Sequence, residues 1–268
     1  MTFGLAFYLA PLWIVAGCVF VAIFLAGEVG WRLGHGGRVE DDALRALVGG
    51  IAAATIGLLG LLLGFTLSMA VTRYDARRTV IVEEANAIGT LWLRAGLLEE
   101  PLESTLRGAL RDYTQARIDF TRVNADLGRL RAARERSAKL EGVIWSVVEQ
   151  ANRPGTSPAV LSSLIASANE VIDLDELRMA SLENYIPAPI ILLLVGVAAV
   201  ALAFLGWSFG AAERRSTTSM VLLASLISTV LTVIMDLNRP HRGLIRVSDA
   251  SLLRLQRTIG APEAQRAR

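Results

Sequence analysis

The sequence predicts an all-α membrane protein with four transmembrane helices in two hairpins and a helical cytosolic region between them. Three observations lead to this fold class. The mean hydropathy of the 268-residue chain is +0.47, well above that of an ordinary soluble domain. Four stretches carry no charged residue, namely 1–27, 46–72, 184–212 and 216–235. The 111 residues from Arg73 to Glu183 are rich in charge and carry apolar residues at helical spacing.

Each uncharged stretch is long enough to form a membrane span, because about 20 residues of helix cross a hydrocarbon core. Charged connections separate the stretches and set the limits of the predicted domains. These are a first hairpin of 1–72 (spans about 3–26 and 46–71), a cytosolic region of 73–183, a second hairpin of 184–237 (spans about 187–209 and 216–236) and a cytosolic tail of 238–268.

The cytosolic region is predicted to consist of helices. Apolar residues keep a helical period from Val80 to Leu98, so the second span is expected to continue as a helix until Pro101 interrupts it. Three amphipathic helices follow, and Ser157 and Pro158 suit the start of the third. Their apolar stripes are Leu102, Leu106, Leu110 and Tyr113; Leu140, Ile144, Val147 and Val148; and Leu161, Leu164, Ile165, Ala168 and Ile172.

The distribution of basic residues predicts the orientation in the membrane. Fifteen Lys and Arg residues lie in 73–183 and seven follow the fourth span, whereas the two short connections hold five. Basic residues mark the cytoplasmic side of a membrane. Both termini and the central region are therefore expected on the cytoplasmic side of the membrane.

The second span carries two distinctive faces. Gly57, Gly60 and Gly64 recur near helical spacing, and such a small-residue face lets another helix approach closely. A bulky face, predicted on the opposite side, consists of Leu58, Leu61, Leu62, Phe65 and Met69. In a ring of such helices it would form an apolar gate around an axis. The alternative is that these side chains face lipid or a neighbouring helix.

Charged motifs follow the second and fourth spans. Arg73, Arg77 and Arg78 leave the second span, and Arg239 leaves the fourth; these arginines are predicted to line a cytoplasmic pore mouth or to contact anionic lipids. Asp75, Glu83, Glu84 and Asn86 carry closely spaced oxygen atoms, but one helix rarely supplies the full oxygen cage of a divalent cation. A structural role is predicted for eight residues in and near these motifs, namely Tyr74, Asp75, Glu84, Asn86, Gly89, Asp236, Pro240 and Gly243.

Signals for an enzyme are absent from the sequence. Its two histidines, His35 and His241, fall on opposite predicted sides of the membrane. We find no metal-binding spacing, phosphate-binding loop or nucleophile arrangement, so no catalytic residue, metal or cofactor is predicted. The central basic residues are interspersed with acidic ones, which argues against nucleic-acid binding.

Three motifs resemble a known family. The run from Gly64 to Tyr74 is similar to the second-helix exit of bestrophins. Bacterial bestrophin-like domain membrane proteins carry Arg-Tyr-Asp-x-Arg-Arg, Glu-Ala-Asn-x-Ile-Gly-Thr and Asp-x-x-Arg-Pro-x-x-Gly, which are matched here by residues 73–78, 84–90 and 236–243. The resemblance covers nearly the whole chain.

Bestrophins are homopentameric ion channels with two hairpins and a large cytosolic middle. The resemblance implies a pentamer whose second spans line a hydrophobic neck, with Phe65 at one neck aromatic and Leu61 one turn earlier. Gly57 stands where a further bulky neck residue is expected, and the acidic calcium-binding run of animal bestrophins is missing after the fourth span.

The predicted function is therefore passive ion conduction by a membrane homo-oligomer, with inorganic ions and membrane lipids as partners. The competing interpretation is a non-conducting scaffold or sensor whose cytosolic helices bind a partner protein. A transporter is less favoured, because no charged residue lies within a span core and the spans are not broken by proline in pairs.

Overall fold

The described parts of the protein consist mainly of helices. In the computed structural model, residues 11–36, 42–123, 126–239 and 243–260 are described, and they contain eight α-helices and no strand. The helices are α1 (Leu12–Gly36), α2 (Asp42–Ala95), α3 (Leu102–Arg122), α4 (Leu127–Ala151), α5 (Pro158–Glu183), α6 (Ala188–Ala211), α7 (Thr217–Leu237) and α8 (Ala250–Gly260).

Four helical stretches are long and apolar enough to cross a membrane. They are Leu12–Gly36, Ala43–Ala95, Thr217–Leu237 and the stretch Pro158–Ala211, which contains both α5 and α6. The helix that holds the second apolar stretch runs without a break to Ala95, in agreement with the predicted helical extension. Ser157 precedes α5 and Pro158 is its first residue, as the sequence predicts.

The chain divides into two compact units. Of the described residues, the first contains 11–36, 42–72, 185–239 and 243–245, and the second contains 73–123, 126–184 and 246–260. The first unit holds α1, the beginning of α2, α6 and α7, and the second holds the remainder of α2 with α3, α4, α5 and α8.

Helix α1 packs most extensively on α6 within the first unit. Glycines make this close approach possible, because a Cβ on Gly30 or Gly34 would overlap the α6 backbone at Ala203 or Trp207. From the other side, a Cβ on Gly206 would overlap the carbonyl group of Gly27. The closely packed small-residue faces thus belong to α1 and α6.

Polar side chains of α7 are satisfied within the first unit. The Ser228 hydroxyl donates to the Ala16 carbonyl of α1 at 3.1 Å, and the Thr232 hydroxyl donates to the Ser228 carbonyl of its own helix at 2.7 Å. At the end of α7, the Asn238 side chain accepts from the Ile186 N–H at 2.8 Å and donates to the Ile186 carbonyl at 3.4 Å. These bonds fix the chain just before α6.

The second unit is built around one apolar core from five helices. Its central side chains are Ile88 and Leu91 of α2, Leu106 and Leu110 of α3, Ile144 and Val147 of α4, Leu164 and Val171 of α5, and Leu252 and Ile259 of α8. Helix α8 lies in the region that the sequence analysis treated only as a tail. Its buried positions, Leu252 and Ile259, are seven residues apart and so lie on one helical face.

Candidate functional site

The bulky face of the second apolar stretch is exposed in the single chain. The exposed fractions are 50% for Leu58, 55% for Leu61, 64% for Phe65 and 38% for Met69. At 3.6 residues per turn these four side chains lie within an arc of about 80°. The chain therefore leaves an apolar stripe of α2 available to lipid or to another subunit.

The other faces of this part of α2 differ from the stripe. One face is buried and comprises Ala52, Leu59, Leu63, Thr66 and Ala70. Gly57, Gly60 and Gly64 form a second, exposed face, and apart from the backbone of α2 itself no atom of the described residues lies within 4 Å of a Cβ built at any of them. The helical period places this glycine face about 100° from the stripe, so the sequence-based description of the two as opposite is wrong: they are adjacent.

The same helical period continues beyond Met69. Spacings of three and four residues lead from Met69 to Thr72, Ala76, Thr79 and Glu83, each of which is exposed. The large apolar side chains are followed on this line by two threonines, one alanine and the carboxylate of Glu83. We refer to the eight positions as the α2 stripe: Leu58, Leu61, Phe65, Met69, Thr72, Ala76, Thr79 and Glu83.

The arginines after the second apolar stretch are not equivalent. Arg78 is exposed and Arg73 is half-buried, whereas Arg77 is buried with 3% exposure. Tyr74 donates from its hydroxyl to the Arg246 carbonyl at 3.4 Å, and Asp75 is exposed.

Glu84 is the centre of a buried ion cluster in the second unit. It is fully buried, and its two oxygens accept from Arg117 of α3 and Arg178 of α5. Arg117 also pairs with Asp175, and Arg178 donates to the Thr121 hydroxyl. Two arginines and two acids make the cluster formally neutral, as the high cost of burying an unpaired charge requires.

Aromatic rings pack against the same arginines. The Phe120 ring centroid lies 5.2 Å from the guanidinium carbon of Arg117 and 5.1 Å from that of Arg178. Such contacts favour a cation near an aromatic face. Burial lowers the pKa of Arg117, but the charge of Glu84 and the other nearby acidic groups reverse this effect, so the net pKa is raised and the side chain stays charged.

Tyr113 and Glu141 form a second polar contact near the cluster. The Tyr113 hydroxyl donates to the Glu141 carboxylate at 3.0 Å. Burial raises the pKa of Tyr113 well above its ordinary value, with Arg117 opposing the shift. Burial and the charge of Asp175 raise the pKa of the Glu141 carboxyl, and the hydrogen bond from Tyr113 opposes this.

Other motif positions have local structural roles. Asn86 is exposed, and a Cβ on Gly89 would lie 3.3 Å from a methyl group of Leu255 in α8. The Asp236 carboxylate accepts from the N–H groups of Leu244 and Ile245, each at 2.8 Å. A Cβ on Gly243 would lie 2.9 Å from the Asp236 carbonyl oxygen, so this turn favours glycine.

Two further positions complete the predicted motif after α7. Arg239 is buried with 5% exposure, and its N–H donates to the Asp236 carbonyl at 3.0 Å. Pro240 lies outside the described residues. Within those residues, no group of His, Cys, Asp and Glu is arranged to hold a metal ion.

Sequence reasoning missed Arg117, Asp175 and Arg178, although the sequence contained a signal for the first two. Arg117 continues the apolar stripe of α3 four residues after Tyr113, and Asp175 continues that of α5 four residues after Val171. A charged residue in register with an apolar stripe must be paired when the stripe is buried. Glu84, the common partner of Arg117 and Arg178, is far from both arginines in sequence.

Comparison with protein families gives a match over most of the chain. The model of the family described as "Bestrophin-like domain" matches residues 13–252. None of the curated proteins matches the chain in sequence.

Solved structures match over nearly the whole chain. One is a bacterial bestrophin homologue from Klebsiella pneumoniae, with 15% identity, a TM-score of 0.64, and coverage of 90% of this chain and 96% of that one. A single-substitution variant of a Klebsiella pneumoniae bestrophin homologue has 15% identity and a TM-score of 0.66, and the match covers 91% of this chain and 97% of that one. At this identity the likeness establishes a shared fold.

Proposed function

The chain belongs to the Bestrophin-like domain family, and on that premise we propose that it is an ion channel formed by a ring of identical subunits. Five subunits is the proposed number, from the resemblance to pentameric bestrophins. In this assembly the second spans surround the axis, and ions pass between them without coupling to an energy source. Inorganic ions are the proposed cargo.

The α2 stripe is the observation that carries this proposal. Its large apolar members are exposed in the single chain, and of the positions that follow at the same period, Thr72, Thr79 and Glu83 are polar and Ala76 is small. A face directed only at lipid has no need for hydroxyl groups and a carboxylate, such as those of Thr72, Thr79 and Glu83, in the same helical register. Around an axis, the same order of residues gives a narrow apolar neck followed by a wettable path, the arrangement of a gate that works by dewetting. Leu61 and Phe65 form the proposed neck, flanked by Leu58 and Met69.

The proposed topology has four spans in two hairpins, with both termini and the central region in the cytoplasm. Its support is the excess of arginine in the central region and after the fourth apolar stretch. A bacterial inner membrane is the proposed location. We propose that Arg73 and Arg78 line the cytoplasmic pore mouth or contact anionic lipid, since both side chains reach the surface of the single chain.

Counting the subunits tests the assembly. The full chain is placed in lipid nanodiscs and analysed by native mass spectrometry while bound lipid is removed in steps. We expect a ring of about five subunits, as the resemblance to bestrophins implies. A monomer or dimer, with only a few spans, would exclude an axial pore.

Ion flux into proteoliposomes tests the neck. We expect Leu61→Ala and Phe65→Ala to raise flux several-fold, because smaller side chains widen the neck and let water enter. Leu192→Ala is the matched control: Leu192 lies on α6, is also a leucine, and is 54% exposed compared with 55% for Leu61. Equal flux through all correctly assembled variants would contradict the assignment of the neck.

A non-conducting scaffold is the second candidate. Leu93 and Leu97, one helical turn apart around the end of α2, are 75% and 58% exposed, as expected of a surface that binds a partner. This function predicts an assembly too small to enclose a pore and ion flux that does not respond to Leu61 or Phe65. The subunit count and the flux measurement therefore distinguish the two candidates.

A further inference from the structure

The second unit contains an open groove between α2 and α8. Its volume is about 490 Å³, and its walls include Val82, Asn86 and Leu93 of α2 and Arg254 and Thr258 of α8. Leu93 is 75% exposed and Val82 is 40% exposed. We refer to this surface as the α2–α8 groove. Large apolar side chains that remain exposed beside a groove are typical of a surface that contacts another protein.

Helix α8 gives the α2–α8 groove a basic rim. Arg254 and Arg257 are the charged residues of this helix, and both are exposed. Within the part of the chain that the structure describes, neither side chain forms an ion pair or a hydrogen bond. Arg254 lies about 160° around the helix from the buried Leu252, so it points away from the core. The groove therefore combines apolar side chains with positive charge that no described residue neutralises.

Helix α5 carries the opposite charge on its exposed face. Glu170, Asp173 and Glu176 are exposed, lie within an arc of about 120°, and form no side-chain ion pair or hydrogen bond among the described residues. Leu177 lies in the same arc and is 50% exposed. The single basic residue of this helix, Arg178, is buried about 140° around it from Asp173. These three acids and the leucine form what we call the acidic α5 face, which matches the groove in both charge and apolar content.

The two surfaces lie on opposite sides of the α2 stripe. Seen along α2, Asn86 and Leu93 of the groove lie about 60–80° to one side of Glu83, the last residue of the stripe. Glu84 lies about 100° to the other side and binds Arg178 of α5. The acidic α5 face points away from Arg178 and so away from α2. A copy whose stripe faces an axis therefore presents the groove to one neighbour and the acidic face to the other.

We propose that the α2–α8 groove of one copy of this chain binds the acidic α5 face of the next copy. This inference rests on the proposed ring of subunits and names the surfaces that join them. A contact between two different surfaces of the same chain is head to tail, and it closes into a ring when the rotation between copies allows. The apolar side chains supply the buried area, and the opposite charges select the partner surface and its register.

Native mass spectrometry of the full chain in lipid nanodiscs tests the contact by charge reversal. One variant reverses the groove rim (Arg254→Glu with Arg257→Glu), and a second reverses the acidic α5 face (Glu170→Arg, Asp173→Arg and Glu176→Arg). In each variant we expect the share of intact rings to fall by about fivefold or more, because attraction between neighbours becomes repulsion. All five side chains are exposed and lack ion pairs among the described residues, so the fold is expected to tolerate these changes.

A combined variant and a control separate this contact from a general effect of charge. Reversal of both surfaces in one chain restores their complementarity, so the share of intact rings should return close to that of the wild type. Arg131→Glu with Arg134→Glu on α4 is the matched control, since both arginines are exposed and neither forms an ion pair among the described residues. It reverses the same number of charges as the groove-rim variant and should leave the rings intact. Equal loss of rings in the control would overturn the proposal.

Cross-linking tests the geometry of the contact without altering any charge. Chains with Leu93→Cys alone and with Leu177→Cys alone are co-expressed in a Cys18→Ser background and treated with a short bis-maleimide. A head-to-tail contact brings the two cysteines of neighbouring copies together, so linked dimers should form in the co-expressed sample and from neither chain alone. Linked dimers from the Leu93→Cys chain alone would show a two-fold contact and overturn the proposal.

These outcomes distinguish failure of this inference from failure of the channel assembly. A wild-type chain that stays monomeric would contradict the ring and this inference together. Intact rings in both reversed variants, without linked dimers from the co-expressed chains, would overturn this inference alone and leave the α2–α8 groove for a different protein.

Discussion

Gly30 lies against the backbone of Ala203 with no space for a side chain between them. A Cβ on Gly30 would overlap the carbonyl oxygen, the carbonyl carbon and the Cα of Ala203. Because the obstructing atoms belong to the backbone, no side-chain rotation can make room. Helices α1 and α6 therefore depend on this glycine for their close contact.

Gly30→Ala is expected to destabilise the first unit. One methyl group must separate the two backbones, and overpacking of this kind costs about 1–3 kcal/mol. The matched control is Gly17→Ala on the same helix, where no described atom outside the backbone of α1 lies within 4 Å of the added Cβ. Thermal unfolding of both variants in nanodiscs measures the difference. A melting temperature for Gly30→Ala equal to that for Gly17→Ala would contradict the observed packing.

Glu84→Gln is expected to destabilise the second unit strongly. The substitution leaves Arg117 and Arg178 buried with Asp175 as the one remaining acid of the cluster. Removal of one member of a buried ion pair costs about 3–5 kcal/mol, because the other charge stays uncompensated.

The adjacent residue supplies a control for this effect. Glu83 is exposed, so Glu83→Gln removes the same charge from α2 without uncovering a buried arginine. Thermal unfolding of the two variants should show a large fall for Glu84→Gln and little change for Glu83→Gln. Similar melting temperatures would mean that Glu84 is not the centre of the cluster.

Much of the helical structure could be predicted because it depends on local pattern. The long uncharged stretches, the extension of the second span and the start of α5 at Pro158 all follow from hydropathy, periodicity and the conformational limits of proline. Helix α8 was missed, since two buried residues on a short helix give a weak periodic signal.

The arrangement of the candidate site could be predicted less well, because it depends on contacts between distant parts of the chain. The sequence identified a Gly-x-x-x-Gly pair at Gly60 and Gly64, but close helix packing occurs at Gly30 and Gly206 instead. Likewise, Glu84 was identified by its motif, whereas its partners Arg117 and Arg178 lie 33 and 94 residues away. Spacing along one helix does not reveal such pairs.

Glu141→Gln is expected to change how stability depends on pH. The pKa of Glu141 is raised in the folded chain, chiefly by burial, so the folded state holds the proton more tightly than the unfolded state. The contribution of Glu141 to the free energy of unfolding is therefore fully present at low pH, where the carboxyl is protonated. It is lost as the pH rises through the raised pKa. Glutamine keeps an acceptor for the Tyr113 hydroxyl but carries no charge.

Melting temperatures across a range from mildly acidic to mildly alkaline pH measure this effect. We expect Glu141→Gln to gain stability relative to the wild type as pH rises. Glu149→Gln on the same helix is the control for the loss of one negative charge. The Glu149 carboxylate is exposed and accepts from the Trp145 indole N–H at 3.0 Å. A difference between Glu141→Gln and the wild type that does not vary with pH would contradict the burial of this carboxyl.

Glu83 is expected to set the charge preference of the proposed channel. It is the one charged member of the α2 stripe, so a ring of five subunits would place five carboxylates around the path and favour cations. Reversal potentials in planar bilayers under a salt gradient should shift towards lower cation preference in Glu83→Gln. Asp75→Asn removes an exposed acid about 80° away on the same helix and should leave the potential nearly unchanged. Equal shifts in both variants would mean that the α2 stripe does not face the ion path.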